Sequence, residues 1–439
     1  MNSRFTYVGF GVVPDSNRAV FDYRLDGRQF REEVSFPGGG DWAQPAVLEG
    51  VRLLFLLTGV SYYKTGAPLT IDLGGLATTA REREFLRQYY VDGLGEFAYR
   101  NGLDLSELRI VGPELPPVTR APYVSRPGSA LIPFGGGLDS IVTVELVRDR
   151  APDAALFIVS RPGDLFDAIE VPARVAGLPI VRAERLIDEQ VLRSKELGFL
   201  NGHVPVTGII SAIAIVAAAL EGRDAVLMSN EWSASSATLM IGDRAVNHQY
   251  SKSLAFETGI RAVLDNGSSG MPDYFSLLRP FSELWIAQQF ADHGQYLSKF
   301  RSCNRAFHID RSVRLDHWCG QCEKCCFIDL ILSPFVPADD LASVFDGREP
   351  LADPELLETF RRLLALAPDA KPWECVGDET ESRAAARLAA GRPDRAGNVV
   401  LRALVEEAAT RIDPDVSKLL RPMSEHYIPE RYAPDAVLV

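Results

Sequence analysis

Residues 130–149, ALIPFGGGLDSIVTVELVRD, constrain the fold more than any other stretch of the chain. They read as a strand, a tight glycine turn and a helix. Gly135, Gly136 and Gly137 are free to take positive φ and to turn their N–H groups toward a ligand. A helix starting near Leu138 aims its positive end at the same point, which makes an anion site suited to phosphate or pyrophosphate. Ser140 adds a hydroxyl donor, and Asp139 is placed to cap the helix or to hold a magnesium-bound phosphate. Neither common nucleotide fingerprint is present, since no GK[ST] follows and the GxGxxG spacing is absent.

Around this turn, apolar runs (ALIPF, LFIVS, PIVRA, AVLMSN) alternate with helical stretches from 130 to about 335. That alternation predicts a parallel sheet with helices on both faces. The first 40 residues differ. FTYVGFGVV, RAVFDYRL and FREEVSFP predict an antiparallel meander. WAQPAVLEGVRLLFLLTGVSYYKTG and TTAREREFLRQYYVDGLGEFAYRNG each read as a helix, with PLTIDLGG as a short strand between them. RIVGPELPPVTRAPYVSRPG is proline-rich and expected to be irregular. After 337 three stretches read as helices, either a cap or a substrate-shaping region. The expected organisation is an α+β domain over 1–125, an α/β domain over 126–336 and a helical region over 337–439.

The chain of 439 residues is 46% apolar and 24% charged, which excludes disordered and collagen-like chains. The longest apolar run, 208–220, is too short for a membrane span and reads as a buried helix. The N-terminal stretch lacks a signal-peptide layout, so a cytoplasmic location is expected. A net charge of −13 opposes nucleic acid and anionic membranes as partners.

Five of six cysteines fall between 303 and 326. Cys303, Cys319, Cys322 and Cys325 follow C-x15-C-x2-C-x2-C, a spacing that converges four thiolates on one tetrahedral ion. A structural zinc is expected, because four thiolates leave no open position. Cys326 reads as a buried bystander, and Cys375 lies far off in KPWECVGDETESR. Lys299, Arg301, Arg305, His308, Arg311 and Arg314 form a local basic run, either a diphosphate or carboxylate site or a solvated face.

Three further stretches concentrate polar groups. NGHVPVTG holds Asn201, His203 and Thr207. SNEWSAS, after an apolar strand, holds Ser229, Asn230 and Glu231. VNHQYSKSLAFE holds Asn247, His248, Gln249, Ser251, Lys252, Ser253 and Glu257. Ligands of open α/β sheets bind at the carboxyl ends of strands, where SNE would sit. His203 and His248 are candidate general acids or bases, and Lys252 a contact for phosphates or a carboxylate.

GGGLDS resembles the SGGxDS signature of the PP-loop ATP pyrophosphatases, with Gly135 where that family usually has serine. The resemblance implies cleavage of ATP to AMP and pyrophosphate, with Gly135 to Ser140 and Ser229 to Glu231 on the nucleotide and magnesium as cofactor. FGGGLDSIVTVE, NGHVPVTG, SNEWSAS, VNHQYSKSLAFE, WCGQCEKCCF and KPWECVGDE together resemble the UDP-N-acetylmuramoyl-L-alanyl-L-glutamate epimerases of bacterial cell-wall synthesis, over most of the chain. The resemblance implies ATP-dependent inversion of a terminal glutamate through an acyl-adenylate on a nucleotide-sugar peptide. The residues that move the proton are not fixed by it: His203 and His248, with Lys252 as a third catalytic residue, are the first choice, and Cys326 and Cys375, the two cysteines spare after the metal, are the thiol alternative. The resemblance implies substrate contacts from Asn247, Gln249, Ser251, Arg301 and Arg305. Competing readings are an amidating or nitrile-forming enzyme like the deazaguanine synthases, which carry a similar four-cysteine cluster, a tRNA-modifying PP-loop enzyme, and a non-catalytic zinc protein.

Overall fold

The computed structural model describes residues 3–438 except 117–120, 266–269, 309, 368–371, 375 and 412–414. Twelve strands are present among them: β1 (Phe5–Val13), β2 (Arg18–Leu25), β3 (Arg28–Ser35), β4 (Thr70–Asp72), β5 (Arg109–Val111), β6 (Leu131–Pro133), β7 (Ala155–Ser160), β8 (Ile180–Leu186), β9 (Ala225–Met228), β10 (Leu239–Ile241), β11 (Arg244–Val246) and β12 (Asp273–Ser276). Ten form one mixed, mostly parallel sheet in the order β12-β9-β6-β7-β8-β3-β2-β1-β4-β5, and β10 and β11 form a separate hairpin.

The expected meander is β1 to β3, paired antiparallel. The expected parallel sheet is β9, β6, β7 and β8, and β12, which was not expected, adds to it in parallel beside β9. The two are continuous, because β3 pairs antiparallel with β8 across the Val34–Arg185 register. Strands alternate their side chains between faces. Leu131, Phe157, Val226 and Tyr274 enter a core shared with the apolar helices Pro45–Thr58 and Val206–Leu220. Ile132, Leu156, Leu227 and Phe275 enter a second core with the helices Leu138–Val147, Glu283–Ala291 and Glu323–Leu332.

Three details depart from the expectations. The single helix expected over 78–102 is two, Ala80–Val91 and Gly95–Asn101, because the glycine-rich DGLG between them favours a break. The proline-rich stretch opens with a strand, β5, which continues the sheet beyond β4. The stretch Pro45–Tyr63, read as an ordinary helix, is the one described helix long and apolar enough to cross a membrane, and 83% of its apolar window is buried inside the fold.

The β3–β8 junction carries a buried ion pair. Arg185 donates to Glu32 through Nε and Nη2 at 2.8 and 3.0 Å, and Tyr62 Oη donates to the same carboxylate at 2.7 Å. Glu32 is 0% exposed. Arg185→Ala leaves that carboxylate uncompensated and is expected to destabilise the fold by about 3–5 kcal/mol in urea denaturation. Arg185→Met with Glu32→Gln is expected to recover most of the loss.

Candidate active site

Strand order changes direction at β6. From it the chain moves outward to β7 and β8, then crosses back to β9 and β12 on the other side. Ligands of open α/β sheets bind at such a switch point, here at the carboxyl ends of β6 and β9. The glycine turn follows β6, and Ser229, Asn230 and Glu231 follow β9.

Only Gly136 of the three glycines takes positive φ, at 73°. A Cβ there would lie 2.2 Å from the Ala168 carbonyl oxygen, so glycine is required. Gly135 opens to solvent, and Gly137 caps the helix Leu138–Val147 with extended backbone. Leu138 is buried. The Ser140 hydroxyl, expected to face a ligand, donates to the Gly137 carbonyl at 3.0 Å and tightens the turn instead. Beside the turn, Arg301 Nη1 and Ser302 Oγ are buried and without a partner. Ser302 packs against Gly137.

Asp139, Glu231 and Glu283 bring carboxylate oxygens within 4.8 Å of one another. Burial and the nearby Glu231 charge push Asp139 up to about 6, with Lys324 and Lys252 opposing the rise. Burial and the charges of Asp139 and Glu231 raise Glu283 well above the usual carboxylate range. One oxygen of Glu231 is buried with no partner. Three crowded carboxylates of this kind suit a hard divalent cation. Ser229 Oγ is likewise buried and unpartnered, while Asn230 donates to Ser276 Oγ at 3.0 Å.

The fully buried Arg279 braces this wall. Its Nε donates to Glu257 at 2.9 Å, Nη1 to the Glu231 carbonyl at 2.7 Å and Nη2 to the Lys252 carbonyl at 2.5 Å. The charge of Lys252 acts on Asp139 on one side and on His203 on the other.

His203 and His248 come together with Glu96, a residue without any sequence signal. The ring centroids are 4.2 Å apart and the planes inclined by 40°. His248 Nδ1 lies 2.5 Å from Glu96 Oε2, and Arg100 Nε holds the other oxygen of Glu96 at 2.6 Å. Burial opposes the Glu96 charge, but the hydrogen bond and charge of His248 hold its carboxyl below the ordinary value. Gly202 makes the approach possible, since a Cβ there would lie 2.9 Å from the Phe97 ring.

The remaining expected contacts divide. Asn247 is structural: it donates to the Ala234 carbonyl at 2.8 Å and accepts from the Gln249 N–H at 2.7 Å. Gln249 Oε1 is buried and unpartnered, and its Nε2 lies 3.5 Å from the Val376 carbonyl. Ser251 is buried and Arg305 exposed. Of the basic run, Arg311 and Arg314 are taken up by Asp164 at 3.0 and 2.9 Å. Trp373 and Glu374 of KPWECVGDE pack beside the segment that follows Cys303 and beside the arginine that holds Glu96. Glu374 accepts from Asn304 at 2.9 Å, and Trp373 packs on Tyr99 and Arg100. Cys375 lies outside the described residues.

Cys303, Cys319, Cys322 and Cys325 hold their sulfurs within 4.8 Å of one another, with Cys325 3.6 Å from Cys319 and 3.5 Å from Cys322. A tetrahedron with zinc–sulfur bonds of about 2.3 Å has edges of about 3.8 Å, so the cluster fits zinc. Cys326 is buried in the core.

Models of two families match the chain: the MurL N-terminal domain over residues 1–277 and the MurL C-terminal domain over 299–419. Three curated proteins named UDP-N-acetyl-alpha-D-muramoyl-L-alanyl-L-glutamate epimerase are similar along almost their whole length. The one from Xanthomonas oryzae pv. oryzae is 35% identical, covering 97% of this chain and 95% of its own. The one from Salinispora tropica is 36% identical, covering 98% and 94%. The one from a Micromonospora species is 35% identical, covering 98% and 96%. No solved structure matches.

Burial and the neighbouring His248 push His203 down to about 4, against the opposing pull of Glu96. The folded state therefore resists the proton that the unfolded chain takes up below about 6.5. Stability attributable to His203 is present above 6.5 and lost as pH falls toward 4. His203→Asn is expected to flatten that acid limb by on the order of 2 kcal/mol, read from urea denaturation at pH 7.5 and pH 4.5.

Proposed function

The chain belongs to the MurL family, and from that premise we propose that it inverts the terminal L-glutamate of UDP-MurNAc-L-Ala-L-Glu to D-glutamate, using ATP and magnesium and releasing AMP and pyrophosphate. One observation carries the reading: the charge of Lys252 acts both on the carboxylate cluster beside the anion-binding turn and on the histidine pair that has its own carboxylate. An enzyme that activates a carboxylate and then moves a proton beside it needs such a pairing.

The chemistry gives each group a task. A free carboxylate acidifies its own Cα–H poorly, because the carbanion would stand next to a full negative charge. Adenylation removes that charge and leaves a carbonyl to hold the enolate. The N–H groups of the 135–137 turn, the helix that follows and the partnerless Arg301 Nη1 and Ser302 Oγ would hold the phosphates. Ser302 and Arg301 make good the hydroxyl contact that Gly135 lacks. Asp139, Glu231 and Glu283 would bind magnesium, which supplies positive charge to the phosphates. Lys252 would steer the α-carboxylate, with Ser229, Gln249 and Ser251 as further polar contacts and Arg305 reaching from the exposed side. The histidines move the proton at Cα. Water then releases AMP. The four thiolates would hold a structural zinc that fixes the segment carrying Arg301 and Lys324 beside the turn.

Incubation with ATP, magnesium and the L-glutamyl substrate in deuterated water is expected to yield AMP together with D-glutamate carrying deuterium at Cα. Absence of AMP and of inversion would sink the proposal. Elemental analysis of the purified protein is expected to give about one zinc per chain. Cys322→Ser is expected to lose that zinc and to lower the thermal midpoint.

A further inference from the structure

Inversion requires a proton taken from one face of Cα and another delivered to the opposite face. Two groups that share this work stand on either side of the carbon, each about 3–3.5 Å from it. Their reacting atoms are then about 6 Å or more apart, with the substrate between them. His203 and His248 do not have this arrangement. Their rings pack on each other with centroids 4.2 Å apart, leaving no space for a carbon between them.

The hydrogen bonding supports a different arrangement. Glu96 is 6% exposed and ionised, so it accepts from His248 Nδ1. A proton therefore sits on Nδ1, so that in the neutral ring Nε2 is the basic nitrogen of His248. Arg100 holds the other oxygen of Glu96, so the carboxylate cannot swing away. The second imidazole lies directly against the first.

Building on the epimerase reading, we propose that Glu96, His248 and His203 form one proton relay that serves a single face of Cα. Glu96 is its positioning residue, and the opposite face is served by a separate acid. An imidazole of the relay takes the Cα proton while the C–H electron pair moves into the acyl-adenylate carbonyl as an enolate. The separate acid delivers a proton to the other face as the carbonyl re-forms. Solvent then discharges the relay and recharges the acid, so protons balance over the cycle.

The test uses full-length His203→Asn, His248→Asn, Glu96→Gln and Glu96→Asp with the L-glutamyl substrate, ATP and magnesium in deuterated water. Pyrophosphate release in the first turnover and deuterium at Cα in both isomers are followed. The two histidine variants are expected to fail in the same way, with intact first-turnover pyrophosphate release and deuterium uptake reduced by 100-fold or more in both isomers. If the relay serves the returning face, both variants instead give deuterated L-glutamate without inversion. Glu96→Gln is expected to slow deuterium uptake by roughly 30–100-fold with KM unchanged, and Glu96→Asp to recover part of the rate. Divergent behaviour, in which one histidine variant exchanges the L-isomer without inverting it and the other does not exchange at all, would mean opposed bases and overturn the relay. So would a wild-type rate in any of the first three variants. Should an asparagine variant lose pyrophosphate release, the glutamine variant at that position is read instead. Wild-type protein that neither releases pyrophosphate nor exchanges sinks the epimerase reading itself, and the relay with it.

Discussion

Arg279 is a guanidinium removed from water, and its bonds connect the parts of the candidate site. A buried cation of this kind persists only when its donors are matched by acceptors. Here one acceptor is the Glu257 carboxylate, and two are backbone carbonyls, of Glu231 and Lys252. Glu257 in turn accepts from the Ser276 N–H at the end of β12. The segment after β9, the 250–252 turn, the helix Leu254–Leu264 and the end of β12 are therefore fixed to one point. The carboxylate cluster and the charge of Lys252 depend on that fixation, since neither carbonyl could move without stranding a buried donor.

Elements with local signals were legible in the sequence. The three N-terminal strands, the helix through 206–220, β6 to β9 and the glycine turn all followed from periodicity and turn chemistry. The join of β3 to β8 was not legible, because pairing between segments about 150 residues apart leaves no local trace. β12 was missed because DYFS is four residues long and lies among turn-forming neighbours.

The site was legible in part, for the same reason. The four cysteines announce themselves by spacing, and Asp139 and Glu231 by their place after apolar strands. Glu283 looks like an ordinary acid in the first turn of a helix. Glu96 sits in what reads as an amphipathic surface helix, yet it is buried against His248. Arg279 is one arginine among many. Each gains its meaning from the partner that the fold brings to it. Asn247 shows the reverse: a polar residue in a dense polar stretch proves to hold its own turn together.

The sheet that passes unbroken from β8 to β3 has a consequence for the two halves of the chain. In the intact protein each of these strands covers the backbone N–H and C=O groups of the other along Glu33–Ser35 and Glu184–Leu186. Neither strand is a natural rim. Separated, each half would present an unprotected edge in the middle of what had been an interior, beside the buried Glu32 and Arg185 charges, and such an edge recruits other chains. Made as two polypeptides, the halves would be expected to re-pair with each other or to self-associate, and neither would stand alone as a folded monomer.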